Sequence, residues 1–261
     1  MQLERISACN YPVRDRDLDY TFKLLTDSGF TKVDLWGGLP NYSNHPAECD
    51  VARLKQKAAE YKLRIANLGT YPGRKFFDIG ADAEFAEMKR AIDNAVFLGA
   101  RSIRVNPGHG EDPKIIDALV PFFQKSAAYA ATKNVFLGME NHLGSIAGNP
   151  DHCMKLVKAV KAPHFGVLYE PANLMSAKVD YKDAYKAFRG HVVHVHIKDS
   201  HWVDGKYSRT MLGQGDVDVA WVVKALEADG YTGDYALEFE IEKEFPIAEN
   251  LPKWLAYFRK I

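Results

Sequence analysis

Between residues 191 and 199 the chain reads His-Val-Val-His-Val-His-Ile-Lys-Asp. Side chains two apart share one face of an extended chain, so His194, His196 and Lys198 point one way while Val193, Val195 and Ile197 point the other. The apolar face belongs in a protein interior. The polar face must then meet a metal ion, carboxylates or a polar ligand, because burying such groups without partners is costly. Carboxylates and an imidazole end three other apolar runs, in Met139-Glu-Asn-His142, Tyr169-Glu-Pro-Ala-Asn173 and Ala236-Leu-Glu-Phe-Glu240. Such mixed oxygen and nitrogen donors suit a divalent cation of the Mn2+, Mg2+, Co2+ or Zn2+ kind. Glu-Asn-His and His-x-His arise by chance, so the signal lies in their recurrence at the ends of successive runs.

The elements that would carry these residues alternate regularly. Strand-like runs fall near Arg5–Cys9, Lys32–Trp36, Leu63–Leu68, Ser102–Asn106, Val135–Glu140, Phe165–Glu170, Val192–Ile197 and Tyr235–Glu240. Helical stretches follow at Leu18–Ser28, Pro46–Tyr61, Ala83–Leu98, Pro113–Lys133, Pro150–Val160, Tyr181–Phe188, Val217–Ala228 and Ala248–Arg259. Several show the stripe of a half-buried helix, as in Ile116/Leu119/Val120/Phe123, Val219/Val222/Val223/Leu226 and Leu251/Trp254/Leu255/Phe258. Asp112-Pro113 and Asn149-Pro150 place a capping side chain before a first-turn proline. Gly29, Gly99 and Gly230 stand where left-handed helix C-caps belong. Eight alternations without a linker or repeat predict one α/β domain over residues 1–261, a closed (β/α)8 TIM barrel, with an open doubly wound sheet as the runner-up. In a barrel the active site lies at the C-terminal ends of the strands, where the donors above converge.

Composition narrows the function classes. Lys plus Arg and Asp plus Glu number 34 each, so no basic excess points to nucleic acid. No apolar run reaches the length of a membrane span, and the start shows no apolar leader, so the expectation is a soluble, cytoplasmic protein. Cys9, Cys49 and Cys153 are too scattered for a disulfide framework and read as reduced core thiols. Gly213-Gln-Gly-Asp216 lacks the residues of a dinucleotide fingerprint or a P-loop. It reads as a loop that caps the next helix through Asp216 or Asp218. Whether the chain forms a homo-oligomer is left open.

From Gly138 onward the motifs Met139-Glu-Asn-His142, His194-Val-His-Ile-Lys-Asp-Ser200, Leu212-Gly-Gln-Gly-Asp216 and Gly230-Tyr-Thr-Gly-Asp-Tyr-Ala-Leu-Glu238 resemble the xylose isomerase-like TIM-barrel superfamily. The likeness is to its sugar-phosphate isomerase/epimerase group, which includes ketose 3-epimerases, hydroxypyruvate isomerases and inosose dehydratases, with endonuclease IV as a relative. It runs over nearly the whole chain. The resemblance implies one divalent cation held by Glu140, Glu170, His196 and Glu238. Two departures stand out. The family's strand-six Asp-x-x-His reads Glu170-Pro-Ala-Asn173 here, and the second glutamate of the ketose 3-epimerases is replaced by Ile146. Asparagine can hold a hydroxyl but cannot act as acid or base.

Such a cation would polarise a carbonyl, and Glu140 and Glu238 would take and return a proton on the adjacent carbon. The expected activity is isomerisation or epimerisation of a sugar or related polyhydroxy-ketone. Alternatives are an inosose-type dehydratase on the same site and a catalytically silent sugar binder. An endonuclease IV-type nuclease is disfavoured by asparagines at Asn67, Asn106 and Asn173 where extra histidines would be needed. His142, Asn173, Lys198, Asn106 and Trp36 are candidate substrate contacts, with Asn67, His109, Trp202, Arg74 and Lys75 as weaker ones. His194 reads as a core histidine bonded to a neighbour, and Glu240 and Glu242 compete with Glu238 by parity.

Overall fold

The computed structural model describes residues 3–261; Met1 and Gln2, within the stretch read for a leader, lie outside it. Eight parallel strands close into a barrel: β1 (Ile6–Cys9), β2 (Lys32–Trp36), β3 (Arg64–Gly69), β4 (Ser102–Val105), β5 (Phe136–Glu140), β6 (Phe165–Tyr169), β7 (Val192–Ile197) and β10 (Tyr235–Leu237). They stand in sequence order around the barrel, and β1 pairs with β10 through Ile6↔Tyr235 and Ala8↔Leu237. An antiparallel hairpin, β8 (Asp199–Val203) and β9 (Lys206–Thr210), grows directly out of β7.

Helices cover the barrel: α1 (Leu18–Asp27), α2 (Val51–Glu60), α3 (Phe76–Ile79), α4 (Ala81–Leu98), α5 (Ile116–Thr132), α6 (Pro150–Val160), α7 (Pro171–Ser176), α8 (Tyr181–Phe188), α9 (Val219–Ala228) and α10 (Ile247–Phe258). The expected stripes face inward. Val219, Val222, Val223 and Leu226 of α9 are buried, as are Leu251, Trp254, Leu255 and Phe258 of α10. Each such side chain stabilises the fold by about 1.5–3 kcal/mol. Trp254 packs on Phe239 at 4.9 Å between ring centroids, and Trp254→Ala would cost about 3–5 kcal/mol. No helix among the described residues is long and apolar enough to cross a membrane.

Cap chemistry sets the helix starts, and it corrects two expected boundaries. The helix expected from Pro46 begins at Val51, because the Asp50 carboxylate accepts from the Ala52 and Arg53 amides. The one expected from Val217 begins at Val219, where Asp218 accepts from Trp221 N–H. Of the two caps proposed for that helix, Asp218 is therefore the one used. Asp216 instead accepts from Trp202 N–H at 3.3 Å.

The Gly213–Val217 loop is wrapped around Asp199. This fully buried carboxylate accepts from the backbone N–H groups of Ser200, Gly213, Gly215 and Val217 at 2.8–3.1 Å. A Cβ on Gly215 would lie 2.2 Å from Asp199 Oδ1, which explains the glycine. The motif is thus a clasp that fixes the root of the hairpin beside the end of β7.

Candidate metal centre

Strand parity and closure bring the site together. One donor atom from each of Glu140 (end of β5), His196 (β7) and Glu238 (just after β10) lies within 4.8 Å of the others. His196 Nδ1 is 3.5 Å from Glu140 Oε1 and 3.6 Å from Glu238 Oε2. All three residues are buried and line a cavity of about 370 Å³ at the barrel mouth.

The other nitrogen of His196 is committed below. Nε2 lies 2.9 Å from Asp34 Oδ2 in β2, and His194 Nε2 lies 2.7 Å from the same oxygen. Interactions with His196 and His194 outweigh burial and hold the Asp34 carboxyl well below the usual carboxylate range, so it can only accept. Both imidazoles therefore carry Nε2–H, which leaves His196 Nδ1 to face the cavity. Asn67 donates to Asp34 Oδ1 at 3.0 Å and accepts from the Ser102 hydroxyl at 2.7 Å, extending the network to β4.

Opposite charges steady the two glutamates. Arg104 Nη1 donates to Glu140 Oε2 at 2.9 Å and its guanidinium lies over the Tyr71 ring at 4.2 Å. Burial would raise the Glu140 carboxyl, but Arg104 and then His196 bring it down to about 2. Burial likewise opposes ionisation of Glu238, yet Lys198 and His196 keep it well below its usual value. Lys198 Nζ donates to Glu238 Oε2 at 2.8 Å and Glu240 Oε2 at 2.7 Å. Arg209, from the hairpin, reaches Glu240 Oε2 at 3.0 Å. His196 is pushed the other way. Burial lowers it, but Asp34 and Glu238 overrule burial and raise it well above the ordinary histidine range.

These residues fit a divalent cation. His196 Nδ1 is buried without a hydrogen-bond partner among the described residues, and it points between two ionised carboxylates. That space calls for positive charge, either a proton on Nδ1 or a metal ion in its place. An imidazole whose far N–H is bonded to a carboxylate is the usual arrangement around a bound cation.

Not every expected contact reaches the cavity. Trp36, Asn106, His142 and Lys198 line it, as do His109 and Arg74, and Asn106 Oδ1 is buried there without a partner among the described residues. Trp36 donates from Nε1 to the Tyr71 hydroxyl oxygen at 2.9 Å and meets Tyr11 edge-on. Glu170 and Asn173 do not line it. Glu170 Oε1 accepts from Ala172 N–H at the start of α7, and Oε2 lies 3.8 Å from Lys198 Nζ. Burial, opposed by Lys198, raises its carboxyl to about 8. Trp202 also lies away from the cavity, donating to Met175 O at 2.9 Å. Lys75 belongs to a neighbouring groove. Of the three free thiols, Cys153 is core and Cys49 half-buried, but Cys9 lines the cavity with Sγ 3.8 Å from Glu238 Oε1.

Asp34, Arg104, Tyr71, Glu240 and Arg209 join the site without having been singled out for it in sequence, apart from Glu240 as the rival of Glu238. Parity carried a usable signal for two of them. Asp34 shares a face with Trp36, and Arg104 shares one with Asn106, each one step deeper in the barrel.

Over residues 22–261 the sequence matches the family model described as xylose isomerase-like TIM barrel. No curated protein sequence matches the chain. Among solved structures, a xylose isomerase-like TIM-barrel protein from Mycobacterium smegmatis in complex with magnesium superposes with TM-score 0.80 at 18% identity, covering 98% of this chain and 95% of that one. A probable 3-DHS dehydratase, AsbF, from Bacillus anthracis gives 0.77 at 13%, covering 98% of both. An L-ribulose 3-epimerase gives 0.74 at 18%, covering 98% and 93%. Identities this low establish the fold and leave the activity open. The sequence match across that span, carried on a closed eight-stranded barrel, shows that the chain belongs to the xylose isomerase-like TIM-barrel family.

Proposed function

We propose that this protein is a divalent-metal-dependent isomerase or epimerase acting on a sugar or related polyhydroxy-ketone. The observation that carries the reading is the unpartnered Nδ1 of His196 set between the Glu140 and Glu238 carboxylates. Glu140, His196 and Glu238 would hold the cation, of the Mn2+, Mg2+, Co2+ or Zn2+ kind. When bound, such an ion supplies Lewis acidity that draws electron density from a carbonyl and acidifies the neighbouring C–H.

The chain's own groups do the rest. Arg104 keeps Glu140 ionised, so its carboxylate can accept a proton from carbon at neutral pH. Glu238, on the other side of His196, is ionised at rest, so it would first take a proton from solvent or a substrate hydroxyl and then deliver it to the opposite face or to the adjacent carbon. The first outcome is epimerisation and the second isomerisation. Asn106 Oδ1, His142 and Lys198 offer acceptors and donors to substrate hydroxyls, and Trp36 offers an apolar wall. The same proton removal followed by loss of a β-hydroxyl would make the protein a dehydratase. Three free cysteines suit a reducing compartment, so we assign the protein to the cytoplasm.

The test is proton NMR in D2O with Mn2+ or Mg2+ and a panel of ketoses and their phosphates. The reading expects deuterium to enter one carbon-bound position while an epimer or isomer accumulates. An unsaturated product would move the assignment to a dehydratase. Exchange into none of the panel, with bound metal present, would leave a sugar-binding protein without turnover.

A further inference from the structure

Glu170 occupies the place at which the fold offers a fourth carboxylate, yet its side chain is held out of the cavity. Asn141 clamps its backbone on both sides, accepting from Glu170 N–H at 2.8 Å and donating to Glu170 O at 2.7 Å. Oε1 is spent on Ala172 N–H at 2.9 Å. The hairpin roofs the same turn: Tyr207 donates to Ala172 O at 3.0 Å, and Trp202 donates to Met175 O at 2.9 Å. The residue is fully buried, its Oε2 has no hydrogen-bond partner among the described residues, and the Lys198 ammonium lies 3.8 Å from that oxygen. That ammonium lies in the cavity wall and donates to Glu238 Oε2, the same oxygen that faces His196 Nδ1.

We infer that Lys198 is a built-in cation on the strand-six side of the metal centre, and that Glu170 is the buried carboxyl packed behind it instead of a fourth metal ligand. The inference rests on the reading of Glu140, His196 and Glu238 as cation ligands. Two consequences follow from charge alone. Lys198 shares Glu238 Oε2 with any cation beside His196, so the ammonium and the metal repel and compete for one oxygen. Without the ammonium, Glu170, Glu238 and Glu240 lose a common partner and the centre gains a net negative charge. Lys198 thus sets how tightly the centre holds metal, and Glu170 acts on metal only through Lys198.

Mn2+ binding, read from the loss of the free-ion EPR signal on titration of the intact chain, tests this without reference to turnover. Glu140→Gln should weaken binding about tenfold or more, as loss of a direct ligand does. Glu170→Gln, nearly isosteric and able to keep the bond from Ala172, should leave affinity within about twofold. Lys198→Met should tighten binding about tenfold, for one opposing charge at close range. Thermal unfolding checks that each variant is folded, and if Lys198→Met is not, Glu170→Gln alone decides. A loss in Glu170→Gln equal to that in Glu140→Gln would make Glu170 a ligand and overturn the inference. So would unchanged or weakened binding in folded Lys198→Met. If the wild type binds no Mn2+ and Lys198→Met does, Lys198 stands as the resident cation. If neither binds, the metal reading itself fails and takes this inference with it.

Discussion

The Nε2–H of His196 donates to Asp34 Oδ2 at 2.9 Å across the barrel, from β7 to β2. This bond decides which ring nitrogen faces the two glutamates, so a residue outside the cavity's reacting groups sets their chemistry. Asp34→Asn should keep the shape but lose the charge that fixes the ring. Mn2+ affinity should fall about 10- to 100-fold. Asp34→Ala should also destabilise the protein by on the order of 3 kcal/mol, because His194, His196 and Asn67 each lose an acceptor. A Mn2+ titration and a thermal melt check both. Unchanged affinity in Asp34→Asn would show that the ring is oriented by packing alone.

Arg104 predicts a pH effect that is measurable in chelator-treated protein. Against burial, Arg104 together with His196 brings the Glu140 carboxyl down from 4.5 to about 2. A depressed carboxyl contributes stability above its unfolded value, and that stability is lost as pH falls from about 4.5 through 2. The contribution is on the order of 3 kcal/mol. Arg104→Gln should remove much of it, so the acid-unfolding midpoint should move to higher pH. Denaturant melts between pH 2 and 7 read the difference. Parallel stability profiles for the two proteins would show that Arg104 does not hold Glu140 ionised.

The Asp199 clasp is structural, and its failure should show in stability first. Asp199→Ala leaves four backbone N–H groups without their acceptor and should cost roughly 3 kcal/mol. Gly215→Ala should also destabilise, since the added methyl meets Asp199 and the Ser200 carbonyl. Thermal melts check this, and a wild-type melting temperature in Asp199→Ala would contradict the role given to the loop.

The barrel was legible because each strand carries its own local evidence. Val33, Leu35, Val193, Val195 and Ile197 alternate with polar neighbours, and Gly29, Gly99 and Gly230 adopt the positive φ that ends a helix before a strand. The strand ends that supply Glu140, His196 and Glu238 came with it. The hairpin was missed, although Asp204-Gly205 between Val203 and Lys206 is a two-residue turn with both φ values positive. Its strands are polar and half-exposed, so no apolar alternation marked them. Asp34 and Arg104 gain their meaning only from partners on other strands, 162 and 36 residues away, and a single strand's pattern cannot show that. In sequence the family resemblance carries the strand-six ligand onto Glu170. The capping bond to Ala172, which turns it aside, depends on a six-residue helix too short to leave a periodic signal.

The central claim is that Glu140, His196 and Glu238 together hold a divalent cation. Anomalous diffraction at the manganese edge, from crystals of the protein grown with Mn2+, tests it most directly. The account predicts one strong anomalous peak bonded to His196 Nδ1 and to a carboxylate oxygen of Glu140 and of Glu238, absent from crystals of Glu238→Gln. A well-ordered barrel mouth with no peak at millimolar Mn2+, or a peak that does not touch His196, would contradict it.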